Sequence, residues 1–179
     1  MLQVSLLKGE KIYLDVLKQE DAGAIEEWYK DEEFTRNMDA VLSIPKHQKS
    51  VQKMIELDSK TDFLFAIREL TTHKIIGIVG IDGILWNHRT AWISIGIGGT
   101  YRAKGLGKEA LKLALKLAFL EFNLYRLQLT VFDYNVSAQK LYEQLGFVHE
   151  GTYRSFLERD NKRHDMLLYG LLREEYIKN

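Results

Sequence analysis

Apolar and polar positions change period several times along this chain, and each change marks an element. Ile12, Leu14 and Val16 alternate with polar neighbours over 11–17, the period of two that a half-buried strand requires. Ala24, Ile25 and Trp28 then recur at helical spacing, which predicts a helix opened by Asp21 and running to about residue 30. Ser43 and Pro45 mark a second helix start, and Val51, Met54, Ile55 and Asp58 keep to one face until about residue 59. Alternation returns at Phe63, Phe65 and Ile67. A polar turn over 71–74 leads into another strand over 75–81, so these two form a hairpin. Asn87 and His88 make the next turn, and 90–97 is a fourth strand.

The second half reads as helix between strands. Over 105–122 the polar positions shrink to a narrow stripe, Glu109, Lys112 and Lys116, so this helix is expected to lie heavily buried. Leu127, Leu129 and Val131 form one face of a strand over 126–132. Ser137 is the expected cap of a short helix with Ala138, Leu141, Tyr142 and Leu145 on one side, closed by Gly146. Two last strands, 147–156 and 164–172, flank a polar turn at 159–162. A strand–helix–strand crossover inside antiparallel hairpins demands a mixed α/β fold with helices on both faces of the sheet, in one domain spanning 1–179.

Composition narrows the possibilities. The 179 residues carry 25 basic and 25 acidic side chains, so an electrostatic nucleic-acid partner is not expected. The absence of cysteine excludes a disulfide framework, a thiol nucleophile and a thiolate-bound metal. Apolar runs are short, the start lacks a signal-peptide core, and no His, Asp and Glu set has metal spacing; a soluble, cytoplasmic protein without a metal is expected.

The most informative stretch joins the fourth strand to the long helix. Glycines at 96, 98 and 99 weaken regular pairing and suggest a bulge or splay at the strand end. The helix then opens with Arg102, Lys104 and Lys108, against the positive end of its dipole. That arrangement suits a bound phosphate, with glycines letting backbone N–H groups close around it. A solvated basic loop is the plain alternative. The stretch fails the P-loop pattern, because Arg102 stands where its first glycine belongs and Glu109 follows Lys108. Residues 105–110 satisfy the loose dinucleotide pattern Gly-x-Gly-x-x-Ala, but too far from the strand end.

Arg102-Ala103-Lys104-Gly105-Leu106-Gly107 also fits Arg/Gln-x-x-Gly-x-Gly/Ala after a strand, and here the chain resembles the GNAT acetyltransferases. A second block, Asn135 to Phe147, resembles that family's Asn-x-x-Ser/Ala-x-x-Leu-Tyr-x-x-x-Gly-Phe. The resemblance implies a mostly antiparallel sheet of about seven strands with one splayed pair. It also implies transfer of an acetyl group from acetyl-CoA to a primary amine. Arg102, Ala103, Lys104, Gly105, Leu106, Gly107 and Lys108 would hold the pyrophosphate. Ile95, Ile97, Asn135 and Lys140 would face the rest of the cofactor, Tyr142 would protonate the thiolate, and Trp28, Tyr29, Phe34 and Arg36 would line the acceptor wall. Tyr142 as a core aromatic, and Asn135 as a turn residue, are the readings without the resemblance.

Within that family the chain is most similar to the ribosomal-protein and N-terminal-amine branch and its polyamine-acetylating relatives. These often carry Ala-Glu on the fourth strand, whereas Trp92 follows Ala91 here. At pH 7.4 an α-amine of pKa about 8 is roughly one-fifth neutral; a lysine-type amine is neutral only about one part in a thousand, a cost of about 4 kcal/mol. A site without a strong base therefore suits a protein N-terminus or another low-pKa amine, with water held by Ser94 or a backbone carbonyl carrying the proton. A polyamine or other small amine, or an acyl-CoA-binding module without turnover, are the alternatives. A homodimer through an exposed strand edge near the end of the chain is also expected.

Overall fold

The computed structural model describes residues 5–178. Its centre is a seven-stranded sheet in the order β1-β2-β3-β4-β5-β7-β6, with β1 Ile12–Val16, β2 Phe63–Glu69, β3 Ile75–Leu85, β4 Thr90–Ile97, β5 Arg126–Phe132, β6 Val148–Arg159 and β7 Lys162–Leu172. Every neighbouring pair is antiparallel except β4 and β5, joined by the crossover helix α4, Leu106–Lys116. A π-helical turn, Leu117–Glu121, carries α4 to the length its apolar pattern predicts. One face of the sheet packs on α4 through Ile76, Val79, Ile81, Ala91, Ile93, Leu127 and Leu129. The other face packs through Ala66 and Ile78 on α1 Ala22–Trp28, α2 Glu32–Met38 and α3 Gln48–Ile55.

Several boundaries depart from the sequence reading for local reasons. Asp21 does not cap α1: its carboxylate accepts from the Lys18 N–H at 2.7 Å and pairs with the buried Arg68. Asp31 caps α2, a helix the periodicity did not reveal, by accepting from Glu33 N–H. Helix α3 starts later than Ser43 and Pro45 suggested, with His47 Nδ1 accepting from Lys49 N–H. Ser137 is not the cap of α5, Val136–Gln144; Asn135 is, its Oδ1 accepting from Ala138 N–H at 3.2 Å. A short final helix, α6 Arg173–Lys178, was also not anticipated.

Candidate active site

The site begins where β4 and β5 part. Their parallel pairing covers only Thr90–Trp92 against Arg126–Gln128. Beyond that, β4 stays on β3 as far as Ile97 opposite Gly77, and β5 stays on β7 as far as Phe132 opposite Met166. The edge of β4 over 93–97 therefore offers backbone N–H and C=O groups that no strand takes, an arrangement a bound chain can complete. A cleft of about 400 Å³ lies there, with Ile95, Gly96 and Ile97 on one side and Thr130 and Val131 on the other. Helix α5 adds Asn135, Ala138, Leu141 and Tyr142, and α2 adds Glu33, Phe34, Asn37 and Met38. Gly96 is what lets α2 approach: a Cβ there would sit 2.7 Å from Met38 Sδ and 2.8 Å from the Phe34 ring.

At one end of the cleft, the turn into α4 passes through left-handed backbone at Ala103 (φ 59°) and Gly105 (φ 77°). No side chain caps α4, so the N–H groups of Leu106, Gly107 and Lys108 are left for a ligand, and all three residues line the cleft. The one acid of the first turn, Glu109, is held elsewhere by the N–H groups of Glu10 and Lys11 at 2.6 and 2.9 Å. Lys108 Nζ donates to Gln144 Oε1 across the cleft mouth at 3.0 Å. Arg102 lines the cleft too, but its guanidinium is turned onto Asp31 and Glu33 at 2.6 and 2.8 Å and onto the Ile97 carbonyl. It ties the loop to α2. Lys104 lies over the Tyr101 ring, and Lys140 is exposed outside the cleft lining.

Tyr142 enters the cleft from the α4 side of the sheet, 8% exposed, with Phe147 edge-on against its ring at 5.9 Å. Burial pushes its phenol up to about 12. It is thus fully protonated at neutral pH, and among the described residues its hydroxyl has no hydrogen-bond partner. Asn135 Oδ1 is occupied by Ala138 N–H and by Ser137 Oγ at 3.1 Å. Ser94 lies on the opposite face of β4, outside this lining, and donates to Asp82 Oδ2 at 3.2 Å.

Of the four acceptor-wall candidates, only Phe34 lines this cleft. Trp28 packs behind Gly98 and borders a separate hollow with Arg68 and Tyr101. Tyr29 lies under Lys46, whose ammonium is 4.6 Å above its ring. Arg36 pairs with Asp160 at the tip of the β6–β7 hairpin, while its carbonyl accepts from the Tyr134 hydroxyl. Sequence reasoning missed Glu33, Asn37 and Met38, because α2 itself was missed; Asp31 followed by two acids was the available signal. Asn37 Oδ1 is buried at this wall without a donor among the described residues.

Comparison with known proteins agrees with this architecture. The model of the acetyltransferase (GNAT) domain matches residues 11–148. A prophage-derived uncharacterized N-acetyltransferase of Bacillus subtilis is 26% identical over 178 residues, 99% of each chain. A spermidine N(1)-acetyltransferase of Vibrio cholerae is 30% identical over 104 residues, covering 58% of this chain and 60% of the relative. In fold, the chain superposes on the spermidine N-acetyltransferase of Vibrio cholerae in complex with CoA and spermine with a TM-score of 0.86, at 21% identity, over 94% of this chain and 99% of the other. With its parted parallel strands, its uncapped helix start and its matched family domain, the chain belongs to the GNAT acetyltransferases and is an acetyl-CoA-dependent N-acetyltransferase.

Proposed function

We propose that the cleft transfers acetyl from acetyl-CoA directly to a primary amine, with Tyr142 as the acid. The observation that carries this is the un-ionised, unpartnered Tyr142 hydroxyl in the gap between β4 and β5. In this reading the N–H groups of Leu106, Gly107 and Lys108 hold the pyrophosphate, the open edge of β4 pairs with the pantetheine arm, and a β4 N–H polarises the thioester carbonyl. The amine attacks, the C–N bond forms as the C–S bond breaks, and the departing thiolate takes the Tyr142 proton. The amine's surplus proton leaves to solvent, which regenerates the tyrosine.

For the acceptor, a small aliphatic amine is the reading we favour. Relatives that match about half of the chain, over 104 and 75 residues, are named spermidine N(1)-acetyltransferases. The acceptor wall also offers an ammonium group Asn37 Oδ1, which has no donor among the described residues. A protein N-terminus is the second reading, favoured by Val41, Leu42 and Ile44, which are 60%, 80% and 60% exposed on the loop after α2. Thiol release with spermidine, spermine and N-terminal peptides side by side decides between them. Silence with every amine, despite a thermal shift with CoA, would refute acetyl transfer. We further read the protein as a cytoplasmic enzyme that pairs with a second copy along β6, the last strand of the sheet, where Tyr153 and Phe156 are each 46% exposed. A monomer in sedimentation at micromolar concentration would refute the pairing.

A further inference from the structure

Trp92, Ser94 and Gly96 point to the face of the sheet opposite α4, where α2 covers only Gly96. Ser94 is left exposed, two residues and about 7 Å along the strand from the cleft-lining Gly96. Ser94 is also beyond the last pair that β4 makes with β5, so its backbone stands at the opening of the gap. Directly across on β3 is Gly80, and two residues on is Asp82. The Asp82 carboxylate folds back over Gly80 toward Ser94. A Cβ built on Gly80 would stand 2.7 Å from Asp82 Oδ2, 2.7 Å from Ser94 Oγ and 3.0 Å from Asp82 Oδ1. The missing side chain makes room for the carboxylate–hydroxyl pair.

The geometry points to Asp82 as the proton acceptor of the reaction, working through Ser94 Oγ as the group that touches the incoming amine. The inference rests on the acetyl-transfer reading above. An ammonium at the gap donates to Ser94 Oγ as Ser94 passes its own hydrogen to Asp82 Oδ2. One N–H bond breaks, one carboxylic O–H forms, and the neutral amine is released at the gap where β4 would hold the thioester. Asp82 returns the proton to solvent after product leaves. Acid and base then act from opposite faces: Tyr142 from the α4 side onto the sulfur, Ser94 and Asp82 from the α2 side onto the nitrogen. The environment of Asp82 suits a base. Burial raises its pKa above the ordinary aspartate value, the nearby Asp62 carboxylate raises it further, and the Ser94 hydrogen bond opposes both. Asp62 is the charged neighbour acting on it, while β4 presents only Trp92 and Ser94.

The test is steady-state thiol release with acetyl-CoA and a saturating amine of pKa near 10, on the wild type, Asp82→Asn, Ser94→Ala and Gly80→Ala. Asparagine keeps an acceptor for Ser94 but takes no proton. We expect kcat to fall 10²-fold or more in Asp82→Asn, within the range general-base catalysis supplies, with KM for acetyl-CoA unchanged. Its rate should then climb about tenfold per pH unit toward the amine pKa, where the wild type is flat. Gly80→Ala should show the same loss while CoA still raises its melting temperature, which separates a displaced carboxylate from a misfolded chain. An Asp82→Asn variant with wild-type kcat and pH profile would overturn the inference. A wild-type protein inactive toward every amine would instead overturn the acetyl-transfer reading, and the role of Asp82 with it.

Discussion

Replacing Tyr142 with phenylalanine removes a hydroxyl that makes no hydrogen bond among the described residues, while the ring keeps its edge contact with Phe147. No polar partner is orphaned, so stability should change by no more than about 0.5 kcal/mol. Catalysis should change far more. A positioned general acid contributes about 10²–10⁴-fold, which at 1.36 kcal/mol per tenfold is about 3–5 kcal/mol of barrier. The assay is thiol release under saturating acetyl-CoA and amine, paired with a CoA titration by thermal shift. We expect kcat to drop at least 10²-fold, with the CoA affinity unchanged within twofold. Burial holds the phenol near 12, so the wild type should show no loss of activity from tyrosine ionisation between pH 6 and about 10. A variant that keeps kcat within threefold would refute the assignment. So would one whose loss appears as weakened CoA binding.

Further expectations concern the frame that holds the site. Arg68 and Asp21 are each 3% exposed and pair at 2.7 Å, with the partly exposed Asp15 at 2.9 Å; Arg68→Ala strands the buried Asp21 carboxylate and should cost about 3–5 kcal/mol in denaturant unfolding. Gly98 has an ordinary φ of −58°, so Gly98→Ala strains no backbone, but its Cβ would run into the Trp28 indole; about 1–3 kcal/mol should be lost by thermal melting. Asp62, Glu150 and Asp160 have lowered pKa values, caused first by the Gly83 N–H, Arg126 and Arg36 respectively. Their contribution is present above the unfolded values of about 4 and is lost as pH falls through the lower folded values, so melting should decline below about pH 4. Asp82 has the opposite sign: its raised pKa favours the native state when protonated, and that contribution is lost as pH rises through the folded value. Asp82→Asn should therefore melt higher than the wild type at pH 7, and a lower melting temperature would refute the desolvation argument.

Much of this site was legible because its signals are local. The uncapped basic start of α4 follows from which residues occupy its first turn, whereas the spacing of α5 alone reads Tyr142 as a core aromatic and only the resemblance of the block Asn135 to Phe147 singled it out. Helix α2 escaped because its buried positions, Phe34 and Thr35, are adjacent and give no clear amphipathic period over seven residues. Arg102 shows how a side chain's direction depends on distant partners: Asp31 and Glu33 lie about seventy residues away in sequence and draw its guanidinium out of the expected phosphate position. Asp82 carries no signal in the sequence; the pairing that places Gly80 opposite Ser94 is what brings its carboxylate to the hydroxyl.

By itself, the sequence determined the order of the seven strands and of the helices other than α2 and α6, the mixed character of the sheet and the chemistry of the turn into α4. These depend on periodicity and on backbone preferences within a few residues. Only the tertiary structure decided where β4 and β5 separate, which side chains α2 brings over Gly96, and which carboxylate meets Ser94. Those are matters of register between strands far apart in the chain, where a shift of one residue would send every side chain to the other face.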